Sequence, residues 1–541
     1  MHDYPYEHRV LPFILDDKAS VHGDRLFLIG DQEMSYAQLR TSVARFAGGL
    51  RALGVQPGDR VLLMMPNVAE TIVTAFGISW AGAVCVPVNT SYRGEMLRYV
   101  IDDADAAFLV VSEEYLGVLA GVREQLTSLP ALIVLGQEPA GSGPPAGLAG
   151  AATIQWRAVA EEFMAPPPGL GPADVQAIMY TSGTTGPSKG VMVSYHHAYQ
   201  YANPTGTHLV GAGDVVYVTL PLFHIGGQWA GIYAALLADG QALLKRKFSV
   251  TDFWSDIDKH GVTQTILLGI MSEFIWKQPP SEEDRRHSLR RVAVTPPPKE
   301  AAAFAQRFNL RICQGWGLTE AGCVTAPAPF DEPAADPTTC GRLRADLFEM
   351  ILADDNDEPV PAGVAGQALI RPVQPNALMS GYWRKPEATV AAWRNLWLHT
   401  GDVLVQGADG YYSFVDRQKD CIRRRGENIS SLEVERAVLE HPDVLECAAI
   451  PVPGDDAEEE VKVILTLRDQ VNLTPAELST FLEPRMPAFM LPRYIEIVAE
   501  LPKTPTQKIR KDVLRSAGVG PHSWRRPEPE RERRHGKRRD G

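Results

Sequence analysis

The stretch Val175–Val193, VQAIMYTSGTTGPSKGVMV, decides how the rest of the chain is read. Its first six residues, VQAIMY, form an apolar run that reads as a buried strand. A loop of Thr, Ser and Gly follows and ends in one lysine, Lys189. Small residues leave backbone N–H groups uncovered, hydroxyls add donors, and the lysine adds positive charge. Proteins hold phosphate oxygens in this way. The loop is not the P-loop G-x-x-x-x-G-K-[S/T]. Gly183 and Gly186 stand too close together, Ser188 precedes the lysine, and Gly190 follows it.

Outward from this loop, strand and helix signals alternate. Ser35 is placed to cap a helix through YAQLRTSVARFAGGLRAL, which Gly54 stops. DRVLLMM, AVCVPV and AAFLVVS read as buried strands, with helices through AETIVTAFGISWAG and RGEMLRYVIDDA between them. DVVYVTLPLFH and VTQTILLG continue the pattern beyond the loop. Repeated units of this length predict an α/β fold with largely parallel sheets. The Gly/Pro/Ala-rich run GQEPAGSGPPAGLAGAA reads as an exposed loop.

Near residue 416 the character changes. FVDRQKDCIRRRGENIS is polar and basic, and a compact unit follows it. The helix LEVERAVLEH, strands VLECAAIPV and VKVILTL, the helix PAELSTFLEPRM and the run RYIEIVAELP suggest a small α+β domain on a flexible connector. The expected organisation is a large N-terminal domain over 1–416 and a small mobile domain over 417–515. The tail over 516–541, charged and poor in apolar residues, is expected to be disordered.

Composition narrows the function. The 541 residues can bury a large core in more than one domain. A net charge of −13 argues against general nucleic-acid binding without excluding a local anion pocket. The six cysteines show no C-x-x-C spacing, which speaks against a disulfide framework or a structural zinc. No signal-peptide core and no apolar run of about 18 residues appears. The chain reads as cytoplasmic, with no membrane span.

Five further segments follow the phosphate loop in order: GWGLTE (Gly315–Glu320), HTGD (His399–Asp402), VDRQKD (Val415–Asp420), RRRGENIS (Arg423–Ser430) and LPKTPTQKIRK (Leu501–Lys511). Singly each has a bland reading: a core Trp, a surface Glu, a turn Asp, a solvated Lys. In this order, from about Tyr36 to Lys511, they resemble the adenylate-forming superfamily of acyl-CoA synthetases, firefly luciferase and peptide-synthetase adenylation domains. RRRGENISSLEVE and LPKTPTQKIRK look most like the crotonobetaine/carnitine-CoA ligase type.

The resemblance implies a large domain of mostly parallel sheets with a small β-barrel-like part, and a small C-terminal domain that rotates between two half-reactions. It implies attack of an oxyanion, usually a carboxylate, on the α-phosphate of ATP with loss of pyrophosphate. Positioned cations and donors are then the main catalytic device. Thr181, Ser182, Gly183, Thr184, Thr185, Gly186 and Lys189 match the β/γ-phosphate loop. Glu320 matches the acid that engages Mg²⁺, a hard cation that prefers oxygen ligands. Gln314, Gly315, Trp316 and Thr319 match the nucleotide segment, Trp316 standing where a Tyr usually stacks on adenine. Asp402 matches the ribose acceptor, and Arg417 a nearby nucleotide contact.

Lys508 matches the lysine brought in to neutralise the developing charge, a contact needed only for adenylation. Lys419 falls at the hinge. Arg425 and Gly426 fall where the pantetheine arm of CoA would pass, Gly426 leaving room for it. His224, in PLFHIGG, has two open readings: a hydrogen-bonded structural residue, or a catalytic group near the acyl pocket that moves with thioester formation. Gln228, Trp229, Gly269, Ile270 and Thr295 are pocket candidates, and their mixture of polar, bulky and small side chains suggests a compact substrate.

Two departures from the family stand out. VTPPPKE (Val294–Glu300) replaces a Gly/Ala-rich loop, which stiffens that wall and removes donors. Gln507 replaces the common Gly before Lys508. The expected function is an ATP-, Mg²⁺- and CoA-using ligase of a small acid. The alternative is an enzyme that adenylates nitrite and passes it to an aryl amine, which the ATP motifs cannot separate. A non-enzymatic nucleotide-binding role is disfavoured because Glu320, Asp402, Arg417 and Lys508 are all in place.

Overall fold

The computed structural model describes residues 3–136, 148, 152–159, 163–167, 169–181, 188–298, 300–332, 336–418, 420, 422–424, 427–454, 459–504 and 508–527. The chain divides into two compact units. One comprises Met1–Ile351, Leu369–Thr400 and Gln406–Ser413; the other comprises Leu352–Ala368, Gly401–Val405 and Phe414–Gly541.

The first unit is α/β, as the alternation predicts. An eight-stranded sheet runs, in spatial order, Gly381–Tyr382, Lys189–Ser194, Val175–Thr181, Val84–Pro87, Arg60–Met64, Phe108–Ser112, Ala131–Leu135 and Thr153–Gln155. From Val175–Thr181 onward its neighbours pair in parallel. Parallel strands are buried on both faces, which is why they read as unbroken apolar runs. Leu62, Met64, Val84, Val86, Leu109 and Val111 meet in one core cluster. The helix Tyr36–Ala52 begins where Ser35 predicts: the Ser35 hydroxyl accepts from the Gln38 N–H and the Gln38 side chain accepts from the Ser35 N–H. The helix Ala69–Trp80 is buried on every side apart from Glu70, in keeping with its almost wholly apolar sequence.

A seven-stranded sheet orders Arg311–Cys313, Arg291–Thr295, Gln264–Leu268, Val215–Val218, Gln241–Leu244, Leu26–Ile29 and Met34–Ser35. All neighbours are parallel except the last pair. A further sheet, Phe348–Ala353, Gly366–Pro372, Leu398–Gln406 and Tyr412–Arg417, supplies the small all-β part.

In the second unit the helices Ser431–Leu439 and Pro475–Leu482 cover the strands Val444–Pro453, Glu459–Leu467 and Tyr494–Ile497. Val434, Val438, Val463, Leu465, Leu478 and Ile495 form their core. One expectation is corrected. Residues 516–527 are not a disordered tail: Trp524–Arg525 adds a fourth, antiparallel strand beside Tyr494–Ile495, and the Ser523 hydroxyl donates to Glu496 at 2.7 Å. The charged composition hid an apolar anchor, Trp524, which packs on the core. Residues 528–541 lie outside the described residues, as does most of the Gly/Pro/Ala-rich run at 136–152. Leu148, inside that run, is buried in the core of the eight-stranded sheet. Among the described residues no helix is long and apolar enough to cross a membrane, and Cys85, Cys313, Cys323, Cys340 and Cys447 are buried free thiols.

Candidate active site

In open α/β sheets ligands gather at the carboxyl ends of the strands. Four neighbouring strands of the seven-stranded sheet deliver expected site residues at that end. Val215–Val218 leads to His224, Gln264–Leu268 to Gly269, Arg291–Thr295 ends on Thr295, and Arg311–Cys313 runs into Gln314–Glu320. Leu268 pairs with Thr295, so Gly269 and Thr295 are neighbours. A Cβ on Gly269 would lie 2.9 Å from the Pro296 carbonyl oxygen, so the position has no room for a side chain. Ile270 is exposed at the start of the helix Gly269–Trp276.

The segment after Cys313 folds into a two-stranded ribbon. Gly317 pairs with Cys323 and Leu318 with Gly322, which puts Thr319 and Glu320 at its tip. Gly317 is required here because a Cβ would lie 2.0 Å from the Gly322 carbonyl oxygen. At the base, a Cβ on Gly315 would meet the Thr325 carbonyl oxygen at 2.6 Å. The Trp316 N–H donates to the Thr325 hydroxyl at 2.9 Å, and the indole is buried, with 6% of its surface left. Buried Gln314 donates from its side chain to the Pro337 carbonyl.

The ends of the hydroxyl-rich loop are set by register. Thr181 pairs with Lys189, so the two ends of the loop meet across an antiparallel ladder. Ser182, Gly183, Thr184, Thr185 and Gly186 lie outside the described residues. Outside the ladder, the Tyr99 hydroxyl donates to the Ser188 carbonyl at 3.0 Å. The Lys189 ammonium lies over the Tyr382 ring, 4.8 Å from its centre. The Tyr382 hydroxyl donates to Glu320 Oε1 at 2.9 Å. Tyr382, absent from the sequence expectations, therefore touches two expected site residues. Its only sequence signal is a Gly-Tyr pair in MSGYW, too short to single out.

His224 is exposed, and its Nδ1 accepts from the Gly226 N–H at 3.2 Å, capping the short helix Ile225–Gly227. That bond puts the proton of the neutral ring on Nε2. Gly227 allows the turn: a Cβ would lie 2.4 Å from the carbonyl oxygens of Leu220 and Pro221. The chain then widens into a π-helical stretch, Gln228–Tyr233, a local form frequent at functional sites. Gln228 and Trp229 are enclosed there, Trp229 with 1% of its surface exposed and edge-on to Tyr201 at 6.1 Å.

The second unit gathers three more expected residues. Asp402, on Leu398–Gln406, is buried with 2% of its surface left. Arg417, at the end of Tyr412–Arg417, reaches it through Nε at 2.7 Å. Lys508 is open to solvent, yet its ammonium is held below the usual lysine range. The protein packed around it is the main cause and Arg417's like charge the second, while Asp402 works in the opposite direction. The Lys508 N–H donates to the Thr504 hydroxyl at 3.1 Å, and its carbonyl accepts from the Thr504 N–H at 2.7 Å. On either side Lys503 pairs with Glu446 and Lys511 with Glu435, both at 2.7 Å. Lys419, Arg425, Gly426 and Gln507 lie outside the described residues. Flanking them, buried Asp416 accepts from the Ser431 N–H at 2.6 Å, and the backbones of Arg424 and Glu427 stand opposite each other in antiparallel register.

Among the described residues no cluster of three or more acidic, His or Cys side chains could hold a metal alone. One carboxylate, Glu320, fits Mg²⁺ held jointly with phosphate oxygens, the habit of that ion. The buried Asp402 carboxylate has the acceptor chemistry that ribose hydroxyls need.

Residues 15–383 match the AMP-binding enzyme family, and residues 433–508 match the AMP-binding enzyme C-terminal domain. The chain is 30% identical over 513 residues to a crotonobetaine/carnitine–CoA ligase of Salmonella paratyphi A, covering 92% of this chain and 98% of that protein. Among solved structures it resembles an anthranilate CoA ligase in complex with anthranoyl-AMP, at 26% identity and a TM-score of 0.82, over 95% of this chain and 98% of that one. It also resembles ATP-bound MatB from Rhodopseudomonas palustris, at 25% identity and a TM-score of 0.78, over 94% and 99%.

The chain belongs to the AMP-binding enzyme family, the adenylate-forming enzymes. Within it the chain is a ligase of the acyl-CoA synthetase type, a class that works with ATP, Mg²⁺ and CoA.

Proposed function

We propose that this enzyme activates a compact carboxylate as its acyl-AMP, releases pyrophosphate, and then transfers the acyl group to the CoA thiol with loss of AMP. The observation that carries this reading is the ion pair of Arg417 with buried Asp402, whose charges both act on Lys508. The positive charge of Arg417 and Lys508 suits a phosphate whose negative charge grows in the transition state.

The residues divide the work. Lys189 and the hydroxyl-rich loop from Thr181 to Gly186 hold the β- and γ-phosphates. Gln314, Gly315, Trp316 and Thr319 flank the adenine and α-phosphate, and Asp402 accepts from the ribose. Glu320 holds Mg²⁺, which when bound offsets phosphate charge. Lys508 stabilises the charge formed as the carboxylate oxygen attacks α-phosphorus and pyrophosphate leaves. Lys419 serves as the hinge for withdrawing Lys508, and the CoA arm passes Arg425 and Gly426. His224 stands by the acyl end, with Gln228, Trp229, Gly269 and Thr295 shaping the pocket. The bulk of Trp229, edge-on to Tyr201 in the stretch that follows His224, supports a compact acid.

ATP–pyrophosphate exchange, run with short, aryl and long-chain acids and with nitrite plus an aminoarene, tests this. Fast exchange with a short or aryl acid, and thioester on adding CoA, is the expected result. Fastest turnover with palmitate would overturn the compact pocket. Exchange with nitrite and with no carboxylate would replace the CoA-ligase reading by nitrite activation.

A further inference from the structure

Lys189 and Glu320 come from separate elements, a sheet strand and the tip of a ribbon, yet one stretch of chain is fastened to both. The Met379 N–H donates to the Glu320 carbonyl at 2.9 Å. The Ser380 N–H donates to the Met192 carbonyl at 2.9 Å, and the Trp383 N–H to the Gly190 carbonyl at 2.7 Å. Gly381 and Tyr382 pair antiparallel with Met192 and Val191 on the strand that begins at Lys189. Residues 379–383 thus stitch the Glu320 tip to the Lys189 strand through the backbone, with the Tyr382 side chain in the middle of the seam.

That side chain makes two different contacts. Its hydroxyl gives Glu320 Oε1 a hydrogen bond at 2.9 Å, and its ring face receives the Lys189 ammonium at 4.8 Å. An ammonium is drawn to the negative face of an aromatic ring, and a carboxylate to an O–H donor. Burial, and then the neighbouring Glu320 charge, push the phenol above its ordinary range, so it stays protonated and remains a donor. Its N–H is also tied, donating to the Thr389 hydroxyl at 2.9 Å. A carboxylate has about four lone-pair sites, so one phenol bond orients Glu320 while leaving it capacity for a cation.

We propose that Tyr382 is the positioning residue that fixes the Lys189 ammonium relative to the Glu320 carboxylate, and so matches the phosphate grip to the metal-binding group. This rests on the roles given above to Lys189 and Glu320. Tyr382 acts through those two groups and takes no part in bond making.

Equilibrium binding of a fluorescent ATP analogue to the full chain, titrated with MgCl₂, tests the assignment. Tyr382→Phe keeps the ring under Lys189 and removes only the bond to Glu320. It should raise the Mg²⁺ concentration for half-maximal tight binding by ~10-fold, the scale of one hydrogen bond to a charged group, and leave metal-free ATP binding unchanged. Tyr382→Leu removes both contacts and should weaken metal-free binding as well. Glu320→Gln should shift the Mg²⁺ requirement by itself, and adding Tyr382→Phe to it should change little more, because the two residues act as one unit.

The controls separate the failures. If Glu320→Gln shifts the Mg²⁺ requirement and Tyr382→Phe does not, the role of Tyr382 falls alone. If Glu320→Gln leaves the requirement where it was, the metal role of Glu320 falls and takes that of Tyr382 with it. A Tyr382→Phe protein that loses metal-free and metal-dependent binding equally has lost structure rather than alignment, and that also overturns the assignment.

Discussion

In the first unit one ammonium, Lys189, and one carboxylate, Glu320, stand on either side of the Tyr382 ring and hydroxyl. In the second, Arg417 is paired with the buried Asp402 carboxylate, and Lys508 feels the charges of both. The first set balances its own charge and is tied down through the backbone on both sides. In the second, the protein packed around Lys508, and then Arg417's like charge, hold its ammonium below the usual lysine range, and Asp402 offsets this only in part. A balanced set can be built in advance and kept; an ammonium disfavoured by burial and a like charge gains most from an anion that it binds. The contrast fits a ground-state grip in one unit and a transition-state contact in the other.

The largest expected effect breaks the second set. Lys508→Ala should slow ATP–pyrophosphate exchange by ~10²–10³-fold, while thioester formation from a preformed adenylate is retained. Equal loss in both half-reactions would remove the distinction between the two sets. The pH profile sharpens the same point. Lys508 must be protonated to meet phosphate charge, so adenylation should fall off on the alkaline side at a pH below the ordinary lysine range. Saturating ATP, whose phosphates would bring negative charge to Lys508, should move that limb upward.

Next comes Asp402→Asn. It keeps the shape of the side chain and deletes the negative charge, so Arg417 and Lys508 are left without their carboxylate. Binding of ATP should weaken by ~10–100-fold, as for loss of a hydrogen bond to a charged group. Isothermal titration with ATP measures this, and an unchanged affinity would remove Asp402 from the nucleotide site.

The smallest effect concerns the first set. Gly317→Ala forces a Cβ into the Gly322 carbonyl, so the ribbon must shift. A cost of ~1–3 kcal/mol to stability is expected, as for overpacking elsewhere, read from urea unfolding. The Mg²⁺ requirement should rise because the Glu320 tip moves. Lost stability with an unchanged Mg²⁺ requirement would show that the ribbon does not fix Glu320.

What the sequence disclosed followed the range of the forces involved. The Ser35 cap, the apolar strands and the two-part organisation rest on local signals, and the structure reproduces the elements they predict. The charged residues were legible because each sits in a recognisable short segment. Their grouping was not. That four strand ends lie side by side depends on sheet order, which periodicity does not encode. Tyr382 went unnoticed because its importance lies in contacts with Lys189 and Glu320, both remote along the chain. Trp524 was misread because a two-residue strand in a basic tail carries no pattern of its own.

The π-helical stretch Gln228–Tyr233 has a consequence of a different kind. A turn that takes one residue more than its neighbours is a stored insertion, and each residue of an α-helix turns the axis by about 100°. Deleting a single residue between Gln228 and Tyr233 would relax the stretch to ordinary helix and redirect the side chains before it, with no substitution in either flanking strand. The direction in which Gln228 and Trp229 project can therefore be changed through the length of the chain rather than through its letters.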